Sequence, residues 1–96
     1  MRTMLTIRIP VEAGSAAIRD GRFPKILSGL MERTKPEAAY FTSTDGDRSA
    51  IVFFDLAHPS DIPAICEPLF TELHAKVTLV PVMTADDVQA GLAKLA

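Results

Sequence analysis

The chain has few of the features that mark a metal-binding, disulfide-bonded or membrane protein. It contains one cysteine, Cys66, so neither an intramolecular disulfide nor a cysteine-based zinc site can form. Its apolar runs are too short for a signal peptide or a membrane-spanning helix, which predicts a cytoplasmic location and no membrane contact. It has no phosphate-binding glycine loop and no histidine pair at metal-ligand spacing, so we expect no cofactor and no metal.

Basic residues are scattered singly along the chain. The chain has 10 lysines and arginines and 12 acidic residues, so its net charge is −2. The basic residues form no stripe. Because nucleic-acid binding depends on such a stripe, we expect no nucleic-acid partner. Hydrophobic residues make up 48% of the 96 residues, enough for one domain spanning 1–96. This share is high for so short a chain and predicts that additional apolar surface is buried against a partner.

The clearest structural signal is Asp45-Gly46, which joins strand-like segments at about 38–43 and 48–56. Asp-Gly between two strands favours a type I′ turn, in which both central residues have positive φ. A two-residue turn also fixes which residues face each other across the hairpin. The predicted opposite pairs are Tyr40 with Ile51 and Phe41 with Ala50.

The remaining pattern predicts a β-α-β-β-α-β order followed by a terminal helix. In chain order we expect a strand at 3–9, a helix over 15–34 divided between Gly21 and Pro24, the hairpin, a helix opened by 58–61, a strand at 76–82 and a short helix from Thr84. Pro68 is predicted to kink or break the second helix, because proline removes a hydrogen bond and crowds the preceding turn. This order is typical of the ferredoxin-like α+β fold, with a four-stranded antiparallel sheet.

In this fold the helices cover one face of the sheet and leave the other face bare. The strand segment 50–54 is apolar on both faces, as in a strand buried on both sides. An uncovered patch of this kind exceeds what a monomer usually exposes, so we predict a homodimer joined through the sheet faces. The alternative is that the terminal helix folds over the bare face through its apolar stripe, Val88, Leu92 and Leu95, and keeps the chain monomeric.

Several segments carry a resemblance to a known superfamily. They are KPEAAYF at 35–41, DGDR at 45–48, IPAICEPLF at 62–70 and PVMT at 81–84. With the strand order, they resemble the dimeric α+β barrel superfamily, in which two ferredoxin-like subunits pack their sheets into a barrel. The likeness is greatest to small uncharacterised bacterial members and spans nearly the whole chain.

The resemblance implies a homodimer but no single reaction. The superfamily includes cofactor-free monooxygenases, muconolactone isomerase, haem-handling proteins and stress-responsive proteins. No position here matches the catalytic residues of the isomerase. The Asn-Trp pairing of the monooxygenase branch is also missing, because the chain has no tryptophan.

Three residues are candidates for binding a ligand. Arg8 could clamp a carboxylate through its guanidinium, or it could be a strand-end residue that reaches solvent or pairs with an acid such as Asp55. Tyr40, the only tyrosine, could line a pocket or pack in the core or an interface. His74 could act as a general base or have a structural or exposed role. Cys66 lies on an apolar helix stripe and is predicted to be a buried small hydrophobe.

Three functions remain open from the sequence. The first is a homodimer that binds a small apolar or aromatic ligand in a cleft between sheet and helices, without turnover. The second is a cofactor-independent isomerase or monooxygenase acting on a small cyclic or aromatic acid, with Arg8 holding the carboxylate and His74 or Tyr40 moving a proton. The third is a subunit whose sheet surface binds a different protein.

Overall fold

Two interleaved βαβ units form the fold. A computed structural model describes all residues, 1–96. Its elements are β1 (Arg2–Ile9), α1 (Val11–Arg19), α2 (Arg22–Thr34), β2 (Ala38–Thr44), β3 (Asp47–Asp55), α3 (Ile62–Leu73), β4 (Lys76–Pro81) and α4 (Ala85–Ala93). The strand order is β2-β3-β1-β4, and all neighbours are antiparallel. Each βαβ unit is therefore split by a strand of the other, which confirms the predicted ferredoxin-like α+β fold.

The hairpin turn has the predicted conformation and register. Asp45 and Gly46 have φ values of 50° and 85°, as a type I′ turn requires. Tyr40 pairs with Ile51, and Phe41 pairs with Ala50, as expected from a two-residue turn. Because side chains alternate along a strand, this register decides which side chains of β2 and β3 face the helices.

The core lies between one face of the sheet and helices α1, α2 and α3. From the two central strands it takes six buried side chains: Leu5, Ile7, Ile9, Ala50, Val52 and Phe54. From the helices it takes Ala17, Leu30, Ile65, Cys66, Leu69 and Leu73. The other face of the sheet, called the open face here, is not covered by any of these helices. Its apolar side chains are Met4, Ala38, Tyr40, Ile51, Phe53 and Val80.

The first helical region is divided close to the predicted place, but it begins earlier than the sequence predicts. Helix α1 begins at Val11 instead of position 15, and its first hydrogen bond runs from Gly14 N to Pro10 O at 3.0 Å. The break falls before α2 starts at Arg22, so Pro24 lies inside the first turn of α2. A proline there loses no helical hydrogen bond, because the first-turn N–H groups have no partner within the helix.

Helix α3 is not broken at Pro68, where the sequence predicts a kink or a break. It runs without interruption from Ile62 to Leu73. A proline inside a helix costs about 3 kcal/mol. Burial of a large aliphatic side chain contributes about 1.5–3 kcal/mol, and Ile65, Leu69 and Leu73 are all buried on this helix. Packing against the sheet therefore outweighs the defect.

Helix α4 starts at the predicted cap, Thr84, and projects away from the packed part of the domain. Asp87 N donates to Thr84 Oγ1 at 3.1 Å, and Thr84 N donates to the Asp87 carboxylate at 2.9 Å, which lowers the pKa of Asp87. No residue of α4 is buried, and its apolar stripe is exposed. The molecule consequently extends over 56 × 29 × 18 Å. The helix does not cover the open face, so the alternative of a terminal helix folded over that face is not found.

The turn conformation predicts the effect of a side chain at Gly46. We expect Gly46→Ala to lower the free energy of unfolding by about 1 kcal/mol, because a Cβ is strained at positive φ. Gly91→Ala is the control, since nothing lies within 4 Å of its added Cβ and its φ is not positive. Urea unfolding of both variants measures the difference. Equal stability of Gly46→Ala and the unmodified chain would contradict the role of this turn.

Candidate functional site

A cavity of about 440 Å³ lies between the covered face of the sheet and helices α1, α2 and α3. Its lining has 14 residues, of which 11 are hydrophobic. They are Ile7, Ile9, Ile18, Phe23, Ile26, Leu27, Leu30, Phe41, Thr42, Arg48, Ser49, Ala50, Leu69 and Leu73. The volume and apolar lining are those of a small-molecule site.

The cavity is closed on its inner side and open towards α1 and the edge strand β2. Leu30, Leu69 and Leu73 form part of the inner lining and are buried. Ile18 and Phe41 also line the cavity, yet they are 47% and 56% exposed. The mouth of the cavity therefore lies between α1 and β2.

Arg48 is the one charged residue in this lining. Its position opposite Ile9 directs its side chain to the covered face. Its Nη1 donates to Val11 O at 3.3 Å and to Ser15 Oγ at 3.2 Å, which fixes the side chain against the start of α1. The chain forms six ion pairs, and none of them includes Arg48.

The two other polar residues of the lining, Thr42 and Ser49, are uncharged. Thr42 and Ser49 pair with each other across β2 and β3, and Ser49 lies opposite Arg8. This register places both side chains on the open face, so their backbone borders the cavity. The Ser49 hydroxyl donates to Thr44 Oγ1 at 2.7 Å.

Arg8 lies on the open face and is already paired with carboxylates. Its Nε donates to Asp47 Oδ2 at 3.0 Å, and its Nη1 lies 3.6 Å from Asp45 Oδ2. The ion-pair alternative for this residue is therefore found, but with the acids of the hairpin turn. Asp55, the acid named from the sequence, instead contacts the N-terminal amine.

Tyr40 and His74 do not join Arg8 in a common pocket. Tyr40 is 61% exposed on the open face, where β3 separates it from the strand that carries Arg8. His74 is the exposed C-cap of α3 and has a left-handed φ of 51°. None of the three residues lines the cavity.

Arg48 is the site residue that sequence reasoning missed, although a signal was present. Counting back from Ala50 and Val52 along β3 places Arg48 on the same face as these buried residues. An arginine at an inward position of a strand is unusual, because charged side chains are rarely buried without a partner, and Arg48 is only partly buried. The predicted hairpin register was enough to identify it.

Cys66 has the predicted structural role. It is 4% exposed, and burial raises the pKa of its thiol. No three histidine, cysteine, aspartate or glutamate residues lie together as metal ligands. No helix combines the length and apolar character that crossing a membrane would require.

Comparison with known proteins adds evidence on the fold. No model of a known protein family matches the chain, and no curated protein matches it. A similar solved structure is the de novo designed protein Ferredog-Diesel, with 16% sequence identity and a TM-score of 0.51. The match covers 83% of this chain and 84% of that chain. At this identity the likeness shows the fold alone.

The burial of Cys66 predicts slow reaction with a thiol reagent. We expect the native protein to react with 5,5′-dithiobis(2-nitrobenzoate) at least about 100 times more slowly than the protein in denaturant, because the thiol is inaccessible and protonated. Ala90→Cys in a Cys66→Ala background is the control, since position 90 is exposed on α4. Comparable native rates for Cys66 and the control would contradict this description.

Proposed function

We propose that this protein binds a small apolar or aromatic molecule in the cavity between sheet and helices. The observation that carries the proposal is the cavity itself, about 440 Å³ in volume with 11 hydrophobic residues in its lining. An apolar space of this size is costly to leave unfilled, because its lining lacks the dispersion contacts of a packed core. A ligand entering past Ile18 and Phe41 would restore those contacts.

The lining favours binding over turnover. A general acid or base must lie within hydrogen-bond reach of the proton that it transfers. The cavity lining contains no histidine, cysteine, aspartate, glutamate or tyrosine. The alternative function, a cofactor-independent isomerase or monooxygenase, would use Arg8, Tyr40 and His74, which do not share this cavity.

Filling the cavity tests the proposal. We expect N-phenyl-1-naphthylamine, an uncharged dye that fluoresces in apolar surroundings, to bind the unmodified chain at one site per protomer. Ala50→Leu places a larger side chain in the lining, so it should weaken binding at least about tenfold, equivalent to about 1.4 kcal/mol. Fluorescence titration measures both affinities.

Two control variants separate the cavity from other apolar surfaces. Ala90→Leu adds the same atoms on exposed α4, and Tyr40→Ala removes an aromatic ring from the open face. Both should bind the dye as the unmodified chain does. Failure of the dye to bind the unmodified chain, or unchanged binding to Ala50→Leu, would overturn the proposal.

The open face supports a second part of the proposal, a homodimer joined sheet to sheet as in a dimeric α+β barrel. Met4, Ile51 and Phe53 form the apolar centre of this face on the two central strands. The ion pairs Arg8–Asp47 and Arg2–Glu37 lie towards its two ends. An apolar centre with charged ends is the usual anatomy of a protein interface. A second copy presents the same pattern, so a two-fold axis would bring centre against centre.

Helix α4 favours the same partner. Val88 and Leu92 on this helix are 39% and 59% exposed, and Leu95, just beyond its end, is 80% exposed. An isolated helix of nine residues is marginal in water, because most helix stability in proteins comes from packing. A second protomer would supply a packing surface for these side chains. This would explain why α4 projects from the domain.

Disrupting the centre of the open face tests the dimer. We expect light scattering to give twice the chain mass of 10.4 kDa for the unmodified protein at micromolar concentration. Ile51→Lys places a charge in the apolar centre, and burying an unpaired charge is costly, so this variant should be monomeric. Lys25→Glu, an exposed change on α2, is the control and should remain dimeric. A monomeric unmodified chain, as expected if this face binds a different protein, would overturn the dimer.

A further inference from the structure

The cavity is lined by one cationic side chain, that of Arg48, which pairs with no acidic residue. Arg48 lies in a lining that is otherwise apolar in its side chains, and no carboxylate of the chain pairs with it. We propose that the ligand is an amphiphile with an apolar body and a single carboxylate, which the Arg48 guanidinium binds. This inference rests on the proposed function and names the chemical class of its ligand.

The hydrogen bonds of Arg48 leave the donors needed for this contact. Nη1 is used by Val11 O and Ser15 Oγ, at 3.3 and 3.2 Å. A guanidinium has five N–H donors, and those of Nε and Nη2 have no acceptor within the protein. Nε and Nη2 lie side by side on the guanidinium edge, so they can donate in parallel to both oxygens of a carboxylate.

Gly14 provides the space that holds Arg48 in this position. A Cβ at Gly14 would lie 3.0 Å from Arg48 Nη1 and 3.1 Å from Ile9 Cγ2. Both distances are shorter than a comfortable van der Waals contact, so the glycine allows the guanidinium to cross the first turn of α1. Backbone and hydroxyl acceptors on α1 then orient the side chain before a ligand arrives, which reduces the entropy lost on binding.

The charge balance favours a carboxylate over a phosphate. One guanidinium matches one negative charge, whereas a phosphate monoester carries up to two charges at neutral pH. No second cation lines the cavity. A doubly charged group would therefore be desolvated against apolar side chains with only half its charge compensated.

A displacement experiment with matched ligands tests the inference. Decanoate, decan-1-ol and decyl phosphate share one alkyl chain and differ in the head group. Each competes with N-phenyl-1-naphthylamine on the unmodified chain, on Arg48→Gln and on Gly14→Ala. Arg33→Gln is the matched control, because Arg33 is exposed on α2, forms no ion pair and does not line the cavity.

We expect decanoate to bind the unmodified chain about tenfold or more tightly than decyl phosphate. Arg48→Gln should weaken decanoate binding by about ten- to hundredfold, the usual effect of losing charge-assisted hydrogen bonds. Its affinity for decan-1-ol should be unchanged, which also shows that the cavity is still folded. Gly14→Ala keeps the charge of Arg48, but its added Cβ meets both Arg48 and Ile9, so it should lower decanoate affinity more than decan-1-ol affinity. Arg33→Gln should change the affinity for neither ligand.

The outcomes separate this inference from the function on which it rests. Binding of decan-1-ol and of decanoate with equal affinity, unaffected by Arg48→Gln, would overturn the carboxylate and leave the apolar cavity intact. Tighter binding of decyl phosphate than of decanoate would overturn the choice of head group. Absence of binding by the dye and by all three ligands would overturn the proposed function itself. If Arg48→Gln does not fold, the selectivity measured with Gly14→Ala decides the question.

Discussion

The alternation of side chains along β3 is the constraint on which the rest of the structure depends. Asp45 and Gly46 adopt positive φ, which closes the hairpin with two residues and fixes the register of β2 on β3. A shift by one residue would exchange the two faces and bring open-face side chains under the helices. Because β3 also pairs with β1, the alternation along β3 runs through the core, the cavity lining and the open face.

The cavity follows from the sizes of the side chains on the covered face. Between Val52 and Arg48 the strand carries Ala50, and no large side chain fills the space above it. Large residues such as Phe23 and Leu30 border the space without filling it. Close packing is the normal state of a protein interior, so a space of this volume beside an unpaired cation departs from it in two ways. The carboxylate proposal joins these two departures from ordinary core packing.

Most of the fold could be predicted from the sequence, and the candidate site could not. The strands, the hairpin and the last cap are set by local signals: alternation, Asp45-Gly46 and Thr84. Pro24 and Pro68 both lie inside uninterrupted helices, because the effect of a proline depends on its place in the helix and on the packing that opposes it. Arg8, Tyr40 and His74 are candidates by residue type alone, and residue type does not tell which face or cavity a side chain reaches. Arg48 could have been found from the register, but the cavity beside it depends on how three helices pack.

The two proposed surfaces are independent because they lie on opposite faces of one strand. Ala50 and Val52 face the helices, whereas Ile51 and Phe53 face away from them. A change at position 50 acts on the cavity without altering the open face, and a change at position 51 does the reverse. The open side of the cavity lies towards α1 and the edge strand β2, away from the apolar centre of the open face. Pairing of two sheets would therefore leave the ligand path free, so assembly and binding need not compete for the same surface.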